Sequence, residues 1–293
     1  MKHKGILLGL LSSGTFGLIP FFSIPLMRGG MGIPAILFYR FLFAAIAMTP
    51  VCLFLNRSMN VGFRNFAVLF VLAIFYAGTS VGLIWSYSYI PSGITTTIHF
   101  LYPILVAFIM MYCFGEKKSA FIFFPALLSF AGVAFLCWND TNITLKLLGV
   151  YIALATVVTY ALYIVGVNKF GINRIHPLIV TFYILSFGAV FFGIYALLTS
   201  GIEPIHSSKE WFNLIVLALL PTVISDYALI VAIKYAGSTI SAILGVMEPV
   251  VAVCMGVCFF AERFNLYSFI GLFLVLSAVI MTIISRMENR LDI

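Results

Sequence analysis

The chain alternates long apolar runs with short polar joints. The runs are about 18 to 25 residues long, the length of an α-helix that crosses a hydrocarbon core of about 30 Å, whereas the strands of a membrane β-barrel need only about 10 residues. We call the ten runs spans one to ten: 6–27, 33–55, 65–89, 93–114, 120–138, 147–167, 177–199, 211–234, 239–260 and 268–285. The pattern therefore predicts an all-α integral membrane protein with ten transmembrane helices.

An internal repeat organises these spans. Adding 146 to the residue numbers places 89–116 on 235–262 without a gap, and the two segments then share their proline and their closing glutamate. Near the start of each half the offset is 144, so that Phe16 falls on Tyr160. Self-similarity of this length indicates two copies of one structural unit.

We assign the first repeat to residues 1–142 and the second to residues 143–293. Each repeat holds five spans. Because five is odd, the second copy must cross the membrane in the opposite sense to the first. The sequence thus predicts two inverted five-helix repeats related by a pseudo-two-fold axis in the membrane plane, an arrangement that suits alternating access.

Composition and charge support a membrane protein. The chain is 63% hydrophobic and 9% charged, which leaves too little polar surface for a soluble globule. Its net charge of +7 does not indicate a nucleic-acid partner, because the basic residues lie in the joints and report orientation. With a cytoplasmic N-terminus, inner segments hold eleven Lys and Arg residues and outer segments four. We therefore predict a cell inner (plasma) membrane protein with both termini cytoplasmic.

No motif indicates an enzyme. The sequence contains no G-x-x-x-x-G-K-[ST] phosphate loop, no H-E-x-x-H and no G-x-S-x-G, and the joints are too short for a catalytic domain. The five cysteines lie within apolar runs and predict neither a disulfide nor a metal site. We expect no cofactor.

Ionisable side chains inside the spans are the first candidates for function, because burying them in a membrane is costly. Asp226 lies in span eight, and Glu248 lies in span nine directly before Pro249, whose ring loosens the helix. A carboxyl group in a low-dielectric cavity prefers its neutral form, which is the physical basis of proton coupling. The alternative for Glu248 is a packing role, and for Asp226 a pair with Arg40 or Lys234.

Other candidates lie in spans two and four. His99 and Tyr102 are three residues apart ahead of Pro103, so they share one side of the helix. His99 either touches solute and protons or is satisfied by bonds to other helices. Arg40 lies about seven residues into span two, so its side chain can extend towards the membrane surface, and its role is either anion recognition or structural pairing.

Polar and aromatic side chains suggest a lined solute path. In span six, Thr156, Tyr160 and Tyr163 follow one stripe, which Ser12 and Phe16 match in span one. Such a stripe suits an amphipathic or aromatic metabolite, and helix packing uses the same residue types. At the end of span three, Trp85 is either an interfacial anchor or part of a substrate gate.

These motifs resemble the EamA family of the drug/metabolite transporter superfamily. The resemblance rests on ten spans in two repeats, on Arg40 within Phe38–Phe41, and on the segment from Met247 to Glu262. In the first repeat, Tyr102 stands where the Glu-Pro pattern has an acid.

The resemblance implies a secondary transporter, often an exporter, of amino acids, drugs or other small solutes. We expect the lipid bilayer and a small-molecule substrate as partners and leave protons and a homodimer open. The alternatives are an uncoupled facilitator or exchanger and a membrane scaffold or sensor that transports nothing.

Overall fold

The structure is a computed structural model, and nearly all of its described secondary structure is helical. It describes residues 2–54, 59–115, 147–172, 175–199, 201–245, 247–261 and 265–291, and single positions at 124, 128, 131, 132 and 135. In this part of the chain, eight helical segments are long and apolar enough to cross a membrane, and a shorter apolar helix, Leu266–Ala278, coincides with span ten. Span five falls largely outside the described residues.

The helices follow the predicted spans. Their bounds are Lys2–Phe16 and Ile19–Arg28 in span one, Ile33–Phe54 in span two, Phe63–Ser86 in span three, Ser92–His99 and Tyr102–Tyr112 in span four, Leu147–Lys169 in span six, Pro177–Leu198 in span seven, Ser208–Ala218 and Ser225–Ala236 around a π-helical turn at Leu219–Ile224 in span eight, Ser238–Leu244 and Met247–Phe260 in span nine, and Leu266–Leu291 in span ten.

Four spans are interrupted near a proline. Spans four and nine break just ahead of Pro103 and Pro249, because proline lacks the N–H that would continue the helical ladder. Span one breaks before Pro20, and span eight contains the π-helical turn around Pro221. The breaks in spans one and eight were not predicted from the sequence, although the same residue type marks them.

Spans two and seven pack together in opposite directions. Phe38 approaches Gly193 and Phe41 approaches Gly188, so residue numbers rise along one helix while they fall along the other. The glycines allow the close approach, since a Cβ atom at Gly193 would lie 3.2 Å from the ring of Phe38.

Spans three and six are antiparallel as well. The hydroxyl groups of Thr79 and Thr159 are 2.7 Å apart, and Gly82, later in span three, meets Thr156, earlier in span six.

Spans one and eight are antiparallel too. Ser225 donates a hydrogen bond of 2.9 Å to the carbonyl oxygen of Ser12, and Gly5, earlier in span one, meets Tyr235, later in span eight. If the two repeats are exchanged, the pair of spans three and six becomes the pair of spans eight and one, and the pair of spans two and seven is unchanged. This symmetry confirms the inverted-repeat fold. The boundary at 142/143 lies outside the described residues and stays a prediction.

Two hydrogen bonds between the repeats are related by the same exchange. The hydroxyl group of Tyr39 donates to the carbonyl oxygen of Glu203 at 2.7 Å, and the hydroxyl group of Tyr183 donates to that of Met59 at 2.7 Å. Adding 144 to 39 and to 59 gives 183 and 203. Because spans two and seven are antiparallel, the two bonds lie at opposite ends of the bundle, and each ties a span to a joint of the other repeat.

Candidate functional site

The broken spans four and nine meet at a buried polar part of the bundle. His99 ends the first helix of span four, and Glu248 begins the second helix of span nine. The Nε2 atom of His99 lies 3.6 Å from the Oε1 atom of Glu248, and both side chains are at most 1% exposed. Gly17 allows span one to approach the backbone of span nine at this point, because a Cβ atom there would lie 2.6 Å from the carbonyl oxygen of Glu248.

The other nitrogen of the imidazole contacts span six. The Nδ1 atom of His99 lies 2.8 Å from the hydroxyl oxygen of Thr156, and that hydroxyl group donates a hydrogen bond of 2.6 Å to the carbonyl oxygen of Ala153. His99 thus connects span six to span nine through its two ring nitrogens.

Aromatic rings surround this pair. The ring of His99 lies 5.2 Å from that of Tyr102 and 5.0 Å from that of Tyr160. Phe16 and Tyr163 both stack on Tyr160, with ring centroids 5.7 Å and 6.0 Å away. These rings are at most 3% exposed, so the centre is closed to solvent in this conformation.

Under the repeat, His99 and Glu248 correspond to two residues of different chemistry. Adding 146 to 99 gives Gly245, and subtracting 146 from 248 gives Tyr102. The hydroxyl oxygen of Tyr102 lies directly over Gly245, where a Cβ atom would overlap it. The same cross-repeat contact is therefore made twice, once between imidazole and carboxyl group and once between phenol and glycine.

A second buried cluster lies between spans two, three, six and eight. Tyr163 donates a hydrogen bond of 2.5 Å to the Oδ1 atom of Asp226, and Arg40 donates through Nε to the hydroxyl group of Thr222 at 2.7 Å. Among the described residues, the Nη1 and Nη2 atoms of Arg40, the Oδ2 atom of Asp226 and the hydroxyl group of Tyr76 have no hydrogen-bond partner of good geometry.

Arg40 corrects one expectation from the sequence. Its side chain is 0% exposed and lies 5.5 Å from the ring of Phe41, so extension towards the membrane surface is wrong. The π-helical turn of span eight supplies the reason, because it carries the hydroxyl group of Thr222 inwards to accept the bond from Arg40. Arg40 and Asp226 attract each other electrostatically, although no ion pair closer than 4 Å joins them among the described side chains.

Tyr163 joins the two clusters, since it bonds to Asp226 and stacks on Tyr160. Ser12 lies beside the centre and packs span one against span eight. Trp85 does not join them: it is 45% exposed, and its ring lies 6.5 Å from that of Tyr89. The choice between an interfacial anchor and a substrate gate stays a prediction.

The sequence alone missed two members of the second cluster. Tyr76 lies in an apolar stretch of span three with its ring 5.0 Å from that of Tyr163, and nothing in the local pattern distinguishes it. Thr222 had a signal, because the preceding Pro221 marks the irregular turn that turns it inwards. Among the residues that the structure describes, no group of three His, Cys, Asp or Glu side chains could hold a metal ion.

Comparisons with known proteins agree with this architecture. The sequence model of the EamA-like transporter family matches residues 3–138 and again residues 147–284. A Bacillus subtilis (strain 168) protein described as the uncharacterized transporter YvbV is 28% identical over 125 residues, which is 43% of this chain and 39% of that protein. The alignment therefore spans well under half the length of that relative.

A solved structure, described only as a crystal structure of a protein, shares the fold. It superposes with a TM-score of 0.70 at 17% identity, over 96% of this chain and 97% of its own.

Proposed function

This chain belongs to the EamA-like transporter family, and we propose that within the family it is a proton-coupled secondary transporter. Members of the family are membrane transporters rather than enzymes, so this multi-pass membrane protein acts on a small molecule within the lipid bilayer. The proposal adds that it exports an amino acid or drug-like solute by alternating access, from an inner membrane with both termini cytoplasmic.

The buried pair of His99 and Glu248 carries this proposal. A membrane-embedded ionisable group is costly and is retained where it binds ions or substrate. Here an imidazole and a carboxyl group meet at the interruption of two antiparallel helices, inside a wall of aromatic rings. A discontinuous pair of helices at a repeat interface is where secondary transporters place their binding sites.

The closed centre and the inverted repeats support alternating access. The central side chains are at most 3% exposed, so neither membrane face reaches them in this conformation. In an inverted repeat, exchange of the conformations of the two halves converts a site open to one side into a site open to the other.

The test begins with binding. Thermal unfolding of the purified protein is measured across a panel of amino acids, nucleosides, sugars and cationic drugs, because a ligand at 100 times its Kd stabilises the folded state by about 2.7 kcal/mol. A solute that raises the melting temperature is then loaded into proteoliposomes for counterflow, which requires a carrier that alternates between the two sides.

Coupling is tested in inverted vesicles with an imposed pH gradient. We expect Glu248→Gln to lower gradient-driven uptake at least tenfold, a loss that corresponds to about 1.4 kcal/mol. Thr97→Val is the matched control, because Thr97 is buried in the same helix as His99 but donates to its own helix at Gly93. Wild-type uptake by both Glu248→Gln and Asp226→Asn would refute coupling, and an absence of counterflow would refute alternating access.

A further inference from the structure

We infer that His99 and Glu248 together bind one proton in the closed conformation, and that Thr156 is the positioning residue that prepares this site. The inference deepens the proposed function and rests on it, because a site that holds a single proton is the element a proton-coupled carrier needs at its centre.

The hydrogen bonds of Thr156 assign the tautomer of His99. A threonine hydroxyl group has one hydrogen to donate, and Thr156 donates it to the carbonyl oxygen of Ala153 at 2.6 Å. With that hydrogen on the Ala153 bond, the hydroxyl oxygen accepts in its contact of 2.8 Å with Nδ1 of His99, and this is the direction that we infer. The proton of the neutral imidazole is thus on Nδ1, an assignment made from the hydrogen-bond pattern, and the lone pair of Nε2 faces Glu248.

Close packing holds Thr156 in this orientation. On span three, a Cβ atom at Gly82 would lie 2.5 Å from the methyl carbon of Thr156, so the methyl group fills the space that the glycine leaves. The methyl group therefore faces span three, and the hydroxyl group is left to face Ala153 and His99. Serine could make the same two hydrogen bonds without the methyl contact, whereas valine would offer no acceptor.

The distance across the pair determines how many protons it holds. Nε2 of His99 and Oε1 of Glu248 are 3.6 Å apart, slightly beyond hydrogen-bond length, and neither atom has a hydrogen-bond partner among the residues that the structure describes. Without a proton between them, a lone pair would face a buried carboxylate. With two, an imidazolium would face a neutral acid and its charge would be uncompensated. With one proton, on either Nε2 or Oε1, the pair has no net charge, and transfer of that proton between the two atoms leaves the net charge unchanged.

The groups around the pair do not provide a competing charge among the described residues that contact it. Tyr102 of span four and Tyr160 of span six present phenol rings, and Phe16 of span one presents a hydrocarbon ring. Among the described residues the other buried acid is Asp226 of span eight, which accepts a hydrogen bond from Tyr163, whose ring stacks on that of Tyr160. We expect the pair to release its proton when the centre opens to water.

Nitrogen-15 NMR of the full chain in lipid bilayers tests the tautomer directly and needs no transported solute. The protein has four histidines, and His99→Gln identifies the signal of His99. We expect a proton on Nδ1 of His99 in the wild type and in Thr156→Ser, and a redistribution between the two nitrogens in Thr156→Val. A wild-type signal protonated only on Nε2 would overturn the inference.

The pH dependence of counterflow is the second readout. We expect Thr156→Val to shift the half-maximal pH by about one unit, the equivalent of about 1.4 kcal/mol between protonation states, while Thr156→Ser and the control Thr97→Val keep the wild-type profile. An unchanged profile in Thr156→Val would refute the positioning role and leave transport intact. The expected NMR signals without any proton-dependent transport would support the one-proton site and refute the proposed function.

Discussion

Contacts at the periphery of this bundle are alike in the two repeats, whereas contacts at its centre are not. At the periphery the two halves make matching contacts: Tyr39 bonds to Glu203 as Tyr183 bonds to Met59. At the centre the matching contact is made by unlike residues. The residues that follow the two tyrosines are an example: under the same offset of 144, Arg40 corresponds to Ile184.

A second peripheral contact is also made in both halves. The guanidinium carbon of Arg28, at the end of span one, lies 5.3 Å from the centre of the Phe260 ring. The amine of Lys169, at the end of span six, lies 5.2 Å from the centre of the Phe114 ring. Adding 146 to 114 gives 260, so one cation–π contact occurs near each of two related helix ends.

None of the charge-bearing residues of the centre has a charged counterpart in the other repeat. The four pairs are Arg40 with Ile184, His99 with Gly245, Asp226 with Ser80, and Glu248 with Tyr102. Burying an ionisable group costs several kcal/mol unless partners compensate it. Repeating a packing contact in both halves therefore costs little free energy, whereas repeating a buried charge costs several kcal/mol. This difference distinguishes the contacts that hold the helices together from the candidate site.

We expect the largest loss of stability when one of the two buried opposite charges, Arg40 and Asp226, is removed. Arg40→Met removes the buried cation that attracts Asp226, and we expect a loss of about 3 kcal/mol in the free energy of unfolding. Asp226→Asn in the same chain should recover at least about 1 kcal/mol, because neighbouring groups are not additive. Thermal unfolding of the two single variants and the double variant gives the coupling. Strict additivity would place Arg40 and Asp226 in separate environments.

An intermediate effect is expected where the central contact is made by Tyr102 and Gly245. A methyl group at Gly245 would overlap the hydroxyl oxygen of Tyr102, so we expect Gly245→Ala to destabilise the protein by about 2 kcal/mol. Combining it with Tyr102→Phe should recover part of the loss. If Tyr102→Phe recovers nothing, the two residues are not in contact, and the contact related to that of His99 and Glu248 does not exist.

The smallest effects are expected at the periphery, and they should be equal. Tyr39→Phe and Tyr183→Phe each remove one hydrogen bond to a carbonyl oxygen, which is worth about 1 kcal/mol. Because the bonds lie at opposite ends of the bundle, we expect the double variant to lose their sum within about 0.5 kcal/mol. Chemical unfolding in detergent measures all three. A large difference between the single variants would show that the two ends are not equivalent.

Local patterns predicted most of the fold. The hydrophobic runs located the spans, because a helix must be long enough to cross the hydrocarbon core. Pro103 and Pro249 located the breaks in spans four and nine, because proline removes a backbone donor wherever it stands. Pro20 and Pro221 mark the irregularities in spans one and eight in the same way, although these two were not predicted.

The site was predicted only in part. His99 and Glu248 were candidates separately, since each is an ionisable group in an apolar run, but nothing in the sequence indicated that they face each other. Arg40 was expected to extend towards the membrane surface and is buried instead. Trp85 was a candidate for a gate and lies on the bundle surface.

The sequence by itself determined the class of protein, the spans, the repeat and the inversion that an odd number of spans requires. These properties depend on the length and composition of segments, so they can be read one segment at a time. The tertiary structure alone decided that His99 bonds to Thr156 and faces Glu248, and that Thr222 turns inwards to Arg40. Helical periodicity shows which residues share a face, whereas the rotation of each helix against its neighbours depends on packing between segments far apart in the chain.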